Sequence, residues 1–269
     1  VTSNDAERTA SVPRRRERGG FWVGFAASVF HPFSMMAGRR SLENRERIPA
    51  TGGALLVFNH ISEIDPVYDA VVVHSAKRVP RFMAKHSLWK IPVVGTLLRS
   101  SGQIPVYRGS GEAQQSLDAA LQALRSGKIV VIFPEGTVTR DPELWPMQSR
   151  TGVARLALDA EVPVIPAVNW GTQHVFDYHK RKFRPFGRKQ IRVRLGEPLD
   201  LTAYADRRRD APLLREVTDV VMGSVRDLLA EVRQEPAPTS FYVNRGRVRP
   251  EHGDLDRSES ERDTNPGSS

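Results

Sequence analysis

Along the middle of this chain, short apolar blocks alternate with longer amphipathic ones. Residues 54–58, 128–133 and 163–169 are dense in Val, Ile, Leu and Phe and are bounded by Gly, Pro or Asn, which predicts buried strands. Weaker strand signals fall at 81–84, 103–107 and 190–195. Between them Ala113, Leu117, Ala120, Leu121 and Leu124 recur at three- and four-residue spacing. That period predicts a helix over 112–125, closed by Gly127. Helical spacing returns at 67–73, 151–160 and 213–232. Strands alternating with helices predict an α/β domain over 42–233, a mainly parallel central sheet flanked by helices.

The amino-terminal part reads differently. Residues 1–18 are polar and Arg-rich and are expected to be disordered. From Gly19 to Gly38 there are twenty residues without Lys, Arg, Asp or Glu, close to the roughly 20 that span a bilayer. Four glycines, Pro32, His31 and two serines argue against a span, and both flanks are basic, with Arg14, Arg15, Arg16 and Arg18 before and Arg39 and Arg40 after. The expectation is a membrane-interface helical segment over 19–41 on the cytoplasmic side of the cell membrane, aromatics buried and arginines among anionic head groups. A helix packed on the domain is the ordinary alternative. No export features follow, which disfavours a cleaved signal peptide. Residues 234–269 are rich in Pro, Ser, Gly and charge and are expected to stay unstructured.

Composition narrows the chemistry. The 269 residues are 39% hydrophobic, enough for one large domain. There is no cysteine, which excludes thiol catalysis, disulfides and cysteine-bound zinc. The net charge is +9, and residues 251–269 are acidic, leaving +13 on residues 1–250. Anionic partners follow: lipid, phosphorylated substrate or nucleic acid. Lys180, Arg181, Lys182, Arg184, Arg188, Lys189, Arg192 and Arg194 form a run with no acidic residue. Only Phe183 and Phe186 offer base stacking there and no nucleic-acid module is recognisable, so nucleic acid is disfavoured against anionic lipid or a phosphate-bearing substrate.

One pair carries the catalytic suggestion. The strand over 54–58 runs into Asn59-His60, and Asp65 follows after four residues. Positions five apart on an α-helix lie about 140° apart, so the two side chains meet only across a turn. A histidine oriented by a carboxylate is a proton-transfer device. The plainer readings are a strand-end histidine and, for Asp65 before Pro66, a helix N-cap. Three later segments also leave a strand for a loop bearing Gly, Pro or charge: 102–108, 133–137 and 162–166. Ligands gather at the carboxyl ends of parallel strands, so His60, Arg108 and Glu135 are expected to converge on one cleft.

Asn-His60-Ile-Ser-Glu-Ile-Asp65, then Gly102 to Arg108, Phe133-Pro-Glu-Gly-Thr137 and Val162 to Pro166, resemble in order the four blocks of the glycerolipid acyltransferases, most closely the bacterial 1-acylglycerol-3-phosphate acyltransferases. The likeness covers roughly residues 42–200. It implies transfer of a fatty acyl group from acyl-CoA or acyl carrier protein to the free hydroxyl of lysophosphatidic acid, with no resident cofactor and no metal. His60 would be the general base and Asp65 its orienting partner, an arrangement that typically supplies about 10²- to 10⁴-fold in rate. Because the acceptor hydroxyl attacks directly, no enzyme nucleophile is needed, in keeping with the absence of cysteine and of a Gly-x-Ser-x-Gly elbow.

By the same resemblance Arg108, Lys85 and Arg140 would bind the substrate phosphate, and Glu135, Gly136 and Thr137 would form the acceptor and oxyanion block. Three positions depart from the pattern. Ser87 stands where an acidic residue is usual, Pro105 where Phe is common, and Val138-Thr139-Arg140 replaces Arg-Ser after Thr137, which displaces the arginine by two. Rival readings are acylation of glycerol 3-phosphate or another lysophospholipid, a lipid or thioester hydrolase, and a membrane-binding scaffold.

Overall fold

The computed structural model describes residues 17–107 and 112–244. Its elements run α1 (Gly20–Met36), β1 (Gly38–Glu43), β2 (Ala54–Phe58), α2 (Asp65–Ser75), β3 (Pro80–Lys85), α3 (Pro92–Ser100), β4 (Ile104–Val106), α4 (Glu112–Arg125), β5 (Ile129–Ile132), α5 (Gly152–Asp159), β6 (Val164–Trp170), β7 (Phe176–Asp177), β8 (Lys182–Phe183), β9 (Lys189–Leu195) and α6 (Ala211–Arg233). Seven strands form one sheet in the order β1-β9-β6-β2-β5-β3-β4, and β7 pairs with β8 in a separate hairpin. Every ladder in the large sheet is parallel except β6 with β9. The expected α/β architecture is therefore present.

β2 shows why the sheet needs helices on both faces. All five of its residues are buried, and successive side chains point to opposite sides. Leu55 and Val57 join Val130, Ile132 and the apolar stripes of α4, α5 and α6. Ala54, Leu56 and Phe58 join Ile129, Val131 and the inner face of α2 on the other side. α6 begins where the side chain of Asp210 accepts from Leu213 N at 3.0 Å, with Pro212 in the first turn. The parallel strands β2 to β6 all release their chain at one edge of the sheet.

Several expectations are corrected. α1 is a single helix that continues through Pro32 and stops at Met36, so residues 38–41 are not helical. They belong to β1, whose Glu43 meets Arg192 and Arg194 of β9 in ion pairs of 3.2 and 2.7 Å. Arg40, expected among lipid head groups, instead donates to His31 O at 3.3 Å and to Ser34 Oγ. Glu17, expected to be disordered, ties Arg78, Val79 N and Lys128 together. Residues 234–244, expected unstructured, run back along the domain, where Gln148 N donates to Tyr242 O at 2.9 Å and Phe241 packs on the core. The remaining tail and residues 1–16 lie outside the described residues. The helix α3 falls between the strands expected at 81–84 and 103–107, as the alternation requires, whereas the β7–β8 hairpin was not expected.

Candidate active site

β2 delivers Asn59 and His60 to the sheet edge, and the chain turns through 61–64 into α2. Asp65 is the first residue of that helix and not its N-cap; Ile64 holds the cap position without a side-chain bond. The carboxylate turns back into the loop instead. Its Oδ2 accepts from His60 Nδ1 at 2.9 Å, Ile61 N at 2.8 Å and Ser62 N at 2.9 Å, and its Oδ1 accepts from Thr172 Oγ1 at 2.6 Å. Asp65 is fully buried while the His60 side chain keeps 15% exposure. With Nδ1 donating to Asp65, Nε2 is the ring nitrogen left to accept a proton. Phe133 stacks on the imidazole at 4.3 Å between centroids and fixes the ring plane.

The 133–139 loop grips the histidine backbone from both sides. Glu135 Oε1 accepts from His60 N at 2.9 Å, and Thr139 N donates to His60 O at 2.7 Å. Glu135 Oε2 takes Met147 N at 3.1 Å. The carboxyl is fully buried, and burial pushes its pKa up to about 8 against the pull of the Met147 and His60 amides. Both oxygens of Glu135 thus anchor backbone amides, and its side chain is not among those that line the cavity described below. Gly136 is in the left-handed region at φ 67°, and its N–H closes the turn onto Phe133 O at 2.9 Å. That N–H is consequently not free for an oxyanion.

A second layer lies beneath. Asn59 Nδ2 donates to Asn169 O at 3.1 Å, Asn169 N returns to Asn59 Oδ1 at 2.8 Å, and Asn169 Nδ2 reaches Asp69 Oδ1 at 2.7 Å. Asp69 is fully buried; desolvation, with Asp65 nearby, holds its pKa well above the usual carboxylate range. Thr172 reaches Asp65 because the chain turns just after β6 at Gly171, φ 99°, where a Cβ would lie 2.0 Å from Gln190 O. Asn59, Asp69, Thr139, Asn169 and Thr172 were missed in the sequence. Each is one polar residue in an apolar stretch or loop, and only the fold brings them together across a hundred positions.

His60 opens onto a cavity of about 990 Å³. Its walls away from the histidine are apolar: Ala27 and Phe30 of α1, Val67 and Val71 of α2, Phe82 of β3 and Leu98 of α3. Lys85, Arg150 and Arg155 line it as cations, and Gly136 and Thr137 line it beside His60. Lys85 is therefore brought to the site as expected. Arg140 is not, since it lines a separate pocket, and Arg108 lies outside the described residues. Val138, where the family pattern expects arginine, is buried. Arg150, unnoticed in the sequence, stands at this cavity because its N–H binds Pro134 O at 3.1 Å. Arg155 is partly engaged, donating to Gln114 Oε1 at 3.0 Å.

Comparison with known proteins bears on the fold and the family. The Acyltransferase family model matches residues 39–170. An N-acylphosphatidylethanolamine synthase of Arabidopsis thaliana is 27% identical over 202 residues, 67% of this chain and 70% of that protein. A 1-acyl-sn-glycerol-3-phosphate acyltransferase of Borreliella burgdorferi is 29% identical over 132 residues, 49% of this chain and 51% of that protein. The crystal structure of the 1-acyl-sn-glycerophosphate acyltransferase from Thermotoga maritima superposes with a TM-score of 0.58 at 26% identity, covering 77% of this chain and 80% of that one. Over residues 39–170 the chain is similar to the Acyltransferase family, and its fold is similar to that of the Thermotoga maritima acyltransferase.

Proposed function

We propose that the protein transfers a fatty acyl group from a thioester, acyl-CoA or acyl carrier protein, to the free hydroxyl of lysophosphatidic acid, forming phosphatidic acid. The observation that carries this is His60, locked by Asp65 through Nδ1, lining a largely apolar cavity of about 990 Å³ together with Lys85 and Arg150. The acyl chain lies between α1, α2 and α3. His60 Nε2 takes the hydroxyl proton as the acceptor oxygen attacks the thioester carbonyl, and Asp65 stabilises the imidazolium that forms. Thr137 faces the developing oxyanion. As the tetrahedral intermediate collapses, the thiolate leaves and the proton on His60 is returned to it. No resident cofactor enters these steps.

Lys85 and Arg150 hold the acceptor phosphate, Arg150 substituting for the arginine absent at Val138. α1 presents Phe21, Phe25, Val29, Met35 and Met36 to the outside. No described helix is long and apolar enough to cross a membrane. This face therefore lies in the bilayer interface on the cytoplasmic side, with the cavity opening toward the lipid.

Purified protein given palmitoyl-CoA and lysophosphatidic acid should release thiol only with acceptor present and yield phosphatidic acid in equal amount. Thiol release that ignores the acceptor and gives free fatty acid would make the protein a hydrolase.

A further inference from the structure

We propose that a second pocket, on the opposite side of the His60 turn, binds a phosphate group carried by one of the two substrates. It rests on the acyl-transfer reading above. The pocket has a volume of about 530 Å³, and its wall includes Ile61, Arg140, Tyr178, Lys182 and Arg184. Ile61 directly follows the catalytic histidine, and Tyr178 lines this pocket and the His60 cavity alike. The pocket thus adjoins the His60 turn and shares the Tyr178 wall with the His60 cavity.

The cations are gathered by strand geometry. Side chains alternate along extended chain, and Arg184 continues the pairing just past β8, so Lys182 and Arg184 fall on one side of the hairpin and Phe183 on the other. Arg184 is held in register by its N–H on Val175 O at 2.7 Å. Phe183 accordingly stacks over Phe33 of α1 at 6.5 Å, while its two neighbours turn into the pocket. An apolar ridge for lipid and a polar recess for an anion therefore sit on opposite faces of the same hairpin.

Charge pairing singles the site out. Within the basic run, Arg192 and Arg194 are consumed by Glu43. Elsewhere Arg207 pairs with Glu216 and Arg209 with Asp159. The one carboxylate in the pocket, Asp177, accepts from Lys180 N at 2.9 Å and has Lys180 Nζ at 3.8 Å. Among the described residues Arg140, Lys182 and Arg184 make no ion pair. Three uncompensated cations, two of them guanidinium forks, in a concave recess match a phosphate monoester or diphosphate. Both sources of such a group exist in the reaction: the nucleotide phosphates of a coenzyme A donor and the head group of the acceptor.

Steady-state transfer from palmitoyl-CoA to lysophosphatidic acid in detergent would be compared for wild type, K182A/R184A, Arg140→Ala from a separate loop, and Arg208→Ala, which matches the single charge lost in Arg140→Ala but lies elsewhere on the surface. The expected result is a rise of about 10- to 100-fold in KM for one substrate with kcat largely kept, for K182A/R184A and, more weakly, for Arg140→Ala. A rise confined to palmitoyl-CoA assigns the pocket to the donor, and one confined to lysophosphatidic acid assigns it to the acceptor and takes the acceptor phosphate off Lys85 and Arg150. Unchanged KM values, a change equalled by Arg208→Ala, or a defect limited to binding vesicles of phosphatidylglycerol would overturn the proposal. Calorimetric titration with coenzyme A and with glycerol 3-phosphate runs beside it and needs no turnover. Binding sensitive to K182A/R184A in a protein without transferase activity would keep the pocket and sink the acyl-transfer reading.

Discussion

Compare how His60 is held with how Lys85, Arg150 and Lys182 are held. The imidazole has its ring plane set by Phe133, its Nδ1 by Asp65, and its backbone by Glu135 on one side and Thr139 on the other. Behind it, Asn59, Asn169 and Asp69 tie β2, β6 and α2 into one buried polar unit. Among the described residues the side chains of these cations make no hydrogen bond or ion pair, and Arg150 is tied only through its backbone N–H on Pro134 O; they reach inward from loops and strand ends. A general base must meet its proton within a few tenths of an ångström, so the fold spends buried hydrogen bonds on it. Phosphate recognition works through the long reach of charge and tolerates flexible stems.

That contrast predicts a division of kinetic effects. Asp65→Asn should be the most damaging of these substitutions after loss of the histidine itself: the amide favours the wrong imidazole tautomer and cannot accept from His60, Ile61, Ser62 and Thr172 together. A kcat about 10²- to 10⁴-fold lower is expected. Chemical-shift measurement of the His60 ring nitrogens would separate tautomer loss from misfolding. Arg150→Ala should act on recognition, lowering kcat/KM for lysophosphatidic acid by about 1.5–3 kcal/mol while single-turnover chemistry at saturating acceptor is kept. Comparable loss of kcat would place Arg150 in the chemical step.

The smallest effect is on stability. Asp69 and Glu135 both have folded-state pKa values raised by burial, Glu135 to about 8. Below the ordinary carboxylate pKa both states hold these protons. As pH rises, the unfolded chain releases them first, so folding loses stability up to the folded pKa. The protein should thus melt lower at pH 8 than at pH 5.5 on their account. Asp69→Asn should flatten that slope and raise the melting temperature at pH 8 by a few degrees, about 2–4 °C per kcal/mol. An unchanged slope would mean that Asp69 is ionised in the folded state.

Sequence order carried much of this. β2 was legible to the residue because a strand buried on both faces leaves a continuous apolar run bounded by Gly53 and Asn59. The amphipathic period revealed α4, and the spacing of His60 and Asp65 required the turn that is present. β1 was not legible, since its polar residues gain strand character only by pairing with β9 about 150 positions away. Asp65 resembled a cap because Asp-Pro usually is one; the donors that claim its carboxylate are instead the amides of its own loop. Likewise the motif exposed Glu135 and Gly136 as important without showing that both are occupied in holding the turn. Arg150 had no sequence signal, because nothing along the chain says that it borders Pro134.

His60→Ala tests the role given to the histidine most directly. Acceptor-dependent thiol release from palmitoyl-CoA should fall by about 10²- to 10⁴-fold, with KM for both substrates little changed and the thermal transition intact. Equal acceptor-dependent release by wild type and His60→Ala would contradict it.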